Sequence, residues 1–149
     1  MTTRRGGPGD IDPAAELWLR ARQAAGGAIP APVHCDDEVR SWFRTRVACE
    51  LELWVAESAD GELLGILVLA GAWIDQLYVD PTQTGRGIGR RLLDVAKRER
   101  PDGLELWTFV SNAGAQRFYE RHGFVEITRT DGSGNEERVP DIHYAFRRD

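Results

Sequence analysis

Three glycines, at positions 85, 87 and 89, alternate with other residues in LYVDPTQTGRGIGRRLL, residues 77–93. A strand-like run precedes them and a helix-like run with two arginines follows. This order suits anion binding, because unpaired N–H groups at a helix start converge on a ligand and the helix dipole adds positive potential. Glycine keeps any Cβ from standing between backbone and ligand. Arg86, Arg90 and Arg91 can add charge-assisted hydrogen bonds. A close-packed structural turn would use the same glycines, so the residues alone leave both readings open. Two nucleotide motifs are excluded by spacing. No lysine precedes a Ser or Thr as a P-loop requires, and a dinucleotide fingerprint starting at Gly85 would need glycine where Arg90 stands. Glu105 lies at a suitable distance for a ribose contact, which carries little weight without that glycine.

Other polar residues suggest less. His34 and Cys35 are neighbours on an extended loop, where adjacent side chains point apart, and no third ligand accompanies them. They read as a loop histidine and a free thiol, and no metal site is expected. The NEERVPD segment places Glu136, Glu137 and Asp141 together. It reads either as a solvated acidic turn or as a surface for a cationic group, with Glu137 the candidate substrate contact.

The elements that must position these residues follow from pattern. Thr2 to Arg5 can form a short strand. Asp12 and Pro13 read as cap and first position of a helix presenting Ala14, Leu17, Trp18 and Ala21. Asp36 or Asp37 is expected to cap a second helix carrying Val39, Trp42 and Phe43. LELWVAE, ELLGILVLAG and AWIDQLYV read as three strands, with Asp60-Gly61 turning the first hairpin. A helix from about Gly87 to Arg100 buries Ile88, Leu92, Leu93 and Ala96. LELWTFV is a further strand. Ser111 is expected to cap the next helix, with Ala115, Phe118 and Tyr119 on one face and Gly123 as terminator. FVEITRT and IHYAFR close the chain. The order β-α-α-β-β-β-α-β-α-β-β predicts an α/β domain with a mixed sheet, antiparallel through its first half, and helices on both faces.

The chain has 149 residues, 42% hydrophobic and 29% charged, with a net charge of -5. One domain spanning 1–149 accommodates this length. The acidic balance argues against nucleic acid as a partner. Two cysteines without CxxC spacing argue for a reducing compartment. The N-terminus lacks an apolar signal core, and no run of about 18 apolar residues could span a membrane. A cytoplasmic protein, monomer or homodimer, is expected.

LYVDPTQTGRGIGRRLL resembles motif A of the GNAT superfamily of N-acetyltransferases, through Leu77, Val79 and Pro81 in the strand and Gly87 and Gly89 in the loop. SNAGAQRFYERHGF resembles motif B, through Asn112, Ala115, Phe118, Tyr119, Gly123 and Phe124. The first motif A position, usually Arg or Gln, is Thr84 here, with Gln83 one residue earlier. The resemblance implies the GNAT fold and acetyl-CoA as cosubstrate. Its implied cofactor set is Leu77, Tyr78, Val79, Thr84, Gly85, Arg86, Gly87, Ile88, Gly89, Arg90, Asn112 and Phe118. Pantetheine amides would pair with the strand edge at Leu77 and Val79, and backbone N–H groups near Leu77 and Tyr78 would face the thioester carbonyl.

It further implies direct transfer of acetyl to a primary amine, on a small molecule or a peptide, in a ternary complex. A lysine-like amine with pKa about 10.4 is neutral in roughly one part in 2,500 at pH 7, a cost near 4.6 kcal/mol. Asp75 stands where the family often carries a proton-accepting group. Tyr119 is placed for the leaving thiolate, by hydrogen bond or proton donation, although a core aromatic would show the same spacing. Asn112 is placed for the CoA arm or a nearby backbone group. A non-catalytic CoA-binding sensor on the same fold is the alternative.

Overall fold

The structure, a computed structural model, describes residues 1–148. The chain runs through β1 (Thr2–Arg5), α1 (Ile11–Ala24), α2 (Asp36–Trp42), β2 (Glu52–Glu57), β3 (Leu63–Ala70), β4 (Trp73–Val79), α3 (Ile88–Glu99), β5 (Leu104–Phe109), α4 (Ala113–Arg121), β6 (Val125–Thr130) and β7 (Asp141–Phe146). Helix α2 continues through a π-helical turn, Phe43–Val47, and a last turn, Ala48–Glu50. The strands form one sheet in the order β1-β2-β3-β4-β5-β7-β6. Every neighbouring pair is antiparallel except β4 and β5, which are parallel.

Strand β3 is buried on both faces, so it reads as a continuous apolar run rather than an alternating one. Its Leu67 and Leu69 join Leu92, Leu93, Leu104, Leu106 and Tyr144 in the core under α3 and α4. Its Ile66 and Val68 join Leu17, Phe43, Val47 and Val55 under α1 and α2. Gly65 lets α3 approach the sheet, since a Cβ there would stand 2.9 Å from Ile88 Cγ2 and Leu92 Cδ1. Deleting a buried leucine such as Leu92 to alanine should cost about 2–5 kcal/mol.

Three helix starts differ from the sequence expectation. Helix α1 begins at Ile11 after Asp10, and Pro13 sits in its first turn, where a missing N–H costs nothing. Asp10 is drawn to Arg4, which it meets at 2.7 Å. Helix α2 is capped by Cys35, not Asp36 or Asp37, because the Glu38 side chain reaches back to the Cys35 N–H at 3.1 Å. Helix α4 is capped by Asn112, not Ser111. Asn112 Oδ1 accepts from Ala115 N at 3.1 Å, while Ser111 Oγ donates to the Ala28 carbonyl at 2.8 Å. Gly123 takes φ +92° just past α4, as a helix terminator requires.

Candidate active site

Strands β4 and β5 touch at a single register pair, Trp73 with Glu105, and then diverge. The gap leaves one edge of β4 without a strand partner. Which residues face it follows from the other edge. Asp80 N donates to Leu64 O at 2.8 Å, and Tyr78 lies opposite Ile66 two residues on. Antiparallel alternation therefore commits the Tyr78 main chain to β3 and turns the N–H and C=O groups of Leu77 and Val79 into the gap. The expected role for a Tyr78 amide at the thioester carbonyl is corrected by this register. Its ring instead meets Trp18 edge-on, and its hydroxyl accepts from Arg22 at 3.3 Å.

Asp75 is the extra residue of a β-bulge, lying between the pairs Leu69 with Ile74 and Val68 with Gln76. The bulge re-aims its side chain, which is exposed. Gln76 Nε2 donates to Asp75 Oδ2 at 3.1 Å, and Gln76 Oε1 accepts from Trp18 Nε1 at 2.9 Å.

Beyond β4, Asp80 pins the loop by accepting from Thr82 N at 2.9 Å and from Arg20 at 3.1 Å. Gly85 and Gly87 take φ +79° and +78°, which other residues adopt at a cost, and Gly87 is the N-cap of α3. No side chain caps that helix start. Arg86, Arg90 and Arg91 are exposed and make no ion pair among the described residues. Ile88 is 3% exposed and its side chain belongs to the core, so it offers the loop only its N–H. Thr84 lines the adjacent cleft, whereas Gln83 turns toward Thr82. Glu105, considered above for a ribose, is held by His143 at 3.1 Å.

The cleft has a volume of about 590 Å³ and is lined by Leu77, Tyr78, Val79, Thr84, Gly89, Asn112, Phe118 and Tyr119, with Ala21 and Ala24 of α1 and the following Ala25. It shares Leu77, Tyr78, Asn112 and Tyr119 with a chamber of about 100 Å³ that also includes Asp75. Tyr119 is 8% exposed, and its hydroxyl has no hydrogen-bond partner among the described residues. Burial pushes its phenol well above the usual tyrosine value. Burial likewise pushes Tyr78 up, against the opposing pull of Arg22.

A third pocket, about 380 Å³, opens on the α1–α2 side and is lined by Trp18, Arg22, His34, Glu38, Trp42, Gln76, Glu136 and Glu137. Gln76 is common to it and the chamber. Here His34 bridges Glu38 at 3.4 Å and Glu136 at 3.3 Å, and these contacts raise its pKa. Asp141 is not in this pocket; it accepts from Thr130 and, at 3.1 Å, from Asn135, bracing the turn between β6 and β7. No cluster of metal-ligating side chains occurs among the described residues. The sequence reading places Trp18 on the apolar face of α1 and gives Arg22 and Gln76 no role. Arg22 had one signal, as a charged residue four positions past Trp18 on the apolar face of α1.

The cleft offers free strand-edge groups for amides, and the loop beside it a positive-φ glycine turn at a helix start with exposed, unpaired arginines for phosphates. That set fits acetyl-CoA. Residues 50–126 match the family model described as acetyltransferase (GNAT) domain. The peptidyl-lysine N-acetyltransferase YjaB of Escherichia coli is 30% identical over 134 residues, covering 87% of this chain and 86% of that protein. The peptidyl-lysine N-acetyltransferase YiaC of the same organism is 35% identical over 112 residues, covering 73% of each. The apo-form solution structure of Escherichia coli YjaB superposes with a TM-score of 0.80 at 26% identity, covering 97% of this chain and 96% of that one. YncA of Salmonella typhimurium, solved with its cofactor acetyl-CoA, superposes with a TM-score of 0.76 at 20% identity, over 100% of this chain and 94% of that one.

Proposed function

This chain belongs to the GNAT acetyltransferase family, and from that premise we propose that it moves acetyl from acetyl-CoA directly to a primary amine in a ternary complex. The observation that carries the reading is the meeting of Tyr119, Asp75 and the free edge of β4 around one small chamber. Acetyl-CoA lies along the cleft, its amides paired with Leu77 and Val79 and its pyrophosphate on the N–H groups of residues 84–90. Arg86 and Arg90 add charge, Phe118 and Gly89 pack the arm, and Asn112 holds the start of α4. The acceptor enters from the Trp18–Trp42 pocket, where Glu137 attracts its ammonium form. Residues 1–149 act as one catalytic domain, cytoplasmic, which two free cysteines and the absence of a disulfide support.

The ammonium first gives a proton to solvent, the neutral amine nitrogen then attacks the thioester carbonyl, a C–N bond forms and the C–S bond breaks. The amine proton passes toward Asp75, directly or through water, and the main-chain N–H of Leu77 steadies the developing oxyanion. CoA leaves as thiolate. A free phenol near 10 is already a weaker acid than a thiol near 8.5, a gap of roughly 2 kcal/mol. Burial widens that gap at Tyr119, so Tyr119 remains neutral and serves as a hydrogen-bond donor to sulfur. The thiolate takes its final proton from solvent. Replacing Tyr119 with Phe tests this. Turnover should fall about a hundredfold while the Kd for CoA, read by calorimetry, stays within about twofold. Unchanged turnover would remove Tyr119 from the chemistry.

A further inference from the structure

Arg22 is a buried cation without a counter-charge. It is 9% exposed, lines the acceptor pocket, and makes no ion pair among the described residues. A guanidinium carries five N–H donors. Two of these are engaged, by the Tyr78 hydroxyl at 3.3 Å and the Pro30 carbonyl at 3.0 Å. Nε is buried with no partner at all. The Trp18 ring lies 4.8 Å from the guanidinium carbon and fixes the plane of the group. Burying an unpaired charge is expensive, and truncating a merely structural arginine would remove that cost. A planar, pre-oriented group with one unengaged N–H left on each terminal nitrogen matches a carboxylate better than any neutral group.

We propose that Arg22 is the carboxylate subsite of the acceptor pocket, so that the acceptor is an amino-acid-like molecule carrying a carboxylate near its reacting amine. This rests on the acetyl-transfer reading above. The pocket then has two ends of opposite sign. Arg22 forms the buried end, and Glu136 and Glu137 line the more open end. A zwitterion entering with its carboxylate on Arg22 carries its amine past Gln76, the residue shared with the reaction chamber. Neither a simple alkylamine nor an amidated acceptor satisfies the guanidinium.

The test uses the full chain, acetyl-CoA, and matched acceptors: free α-amino acids, each beside its own carboxamide. The readout is the ratio of kcat/KM for acid over amide, in the natural protein and in Arg22→Gln and Arg22→Lys. Comparing ratios cancels the intrinsic difference in amine basicity. The ratio should fall about ten- to a hundredfold in Arg22→Gln, the range expected for a lost hydrogen bond to a charged group, and by less in Arg22→Lys. An equal loss for acid and amide, or no loss for either, would overturn the subsite while leaving acetyl transfer standing. Thiol release with alkylamines or lysine peptides but with no amino acid and no carboxamide would overturn the subsite alone, whereas release with no amine of any kind would overturn acetyl transfer, and the subsite with it.

Discussion

The wall of the site made by β4, the glycine loop and α4 presents main-chain groups, whereas the wall made by α1, α2 and the β6–β7 connection presents side chains. On the first wall the groups left free are the main-chain edge at Leu77 and Val79 and the turn at Gly85 and Gly87. On the second they are Trp18, Arg22, Glu38, Trp42 and Glu137. Main-chain recognition depends on backbone conformation and so tolerates change at most side chains. Side-chain recognition can be rewritten one residue at a time. The contrast suits an enzyme fold that keeps one cosubstrate and varies its acceptor.

Breaking the backbone on the first wall should have the largest effect. Gly87→Val places a branched side chain at φ +78°, a strain of about 1–2 kcal/mol. The Kd for CoA should rise about five- to thirtyfold in calorimetry, with the acceptor KM unmoved. Removing charge from the same wall should cost less. The exposed Arg86 and Arg90, changed together to Gln, should weaken CoA binding about two- to fivefold at low salt. That difference should vanish in about 1 M salt, where screening acts over roughly 3 Å. If the arginine pair costs more than Gly87→Val, the main chain is not the principal grip.

The second wall should respond in the opposite parameter. Glu137→Gln should raise the acceptor KM about two- to fivefold and leave the CoA Kd unchanged. The smallest effect expected is one of pH. His34 joins the α1–α2 loop to the β6–β7 connection through Glu38 and Glu136, and its pKa is raised by those contacts. The bridge is therefore complete below the ordinary histidine value of about 6.5 and is lost as pH rises through the higher folded value. Amide protection in residues 30–35 and 133–138, taken relative to the intrinsic base-catalysed exchange rate at each pH, should fall over that rise, and His34→Ala should abolish the fall.

The same contrast explains what could be read from the chain. The glycine turn, the Asn112–Tyr119 spacing and the order of elements are local, written in neighbouring residues, and the structure reproduces them. The Asp75 bulge is not local, since it depends on how β4 registers against β3. Nor is the parity of Tyr78 local: the expected free edge at Leu77 and Val79 agrees with the register, whereas the Tyr78 main chain is committed to β3. Trp18 with Gln76 and Arg22 with Tyr78 join residues 58 and 56 positions apart. No periodicity in α1 announces such partners. The start of α4 lies one residue from the expected one because Ser111 and Asn112 are equally good caps in isolation, and Cys35 precedes α2 through the reach of Glu38 to its N–H.

The most direct measurement is thiol release from acetyl-CoA across a panel of amines, with initial rates taken while both substrates vary. The account predicts release that depends on the amine, a matching mass gain of one acetyl group on the acceptor, and intersecting double-reciprocal lines for a ternary complex. Tight CoA binding with no release from any amine would contradict it, and parallel lines would contradict direct transfer.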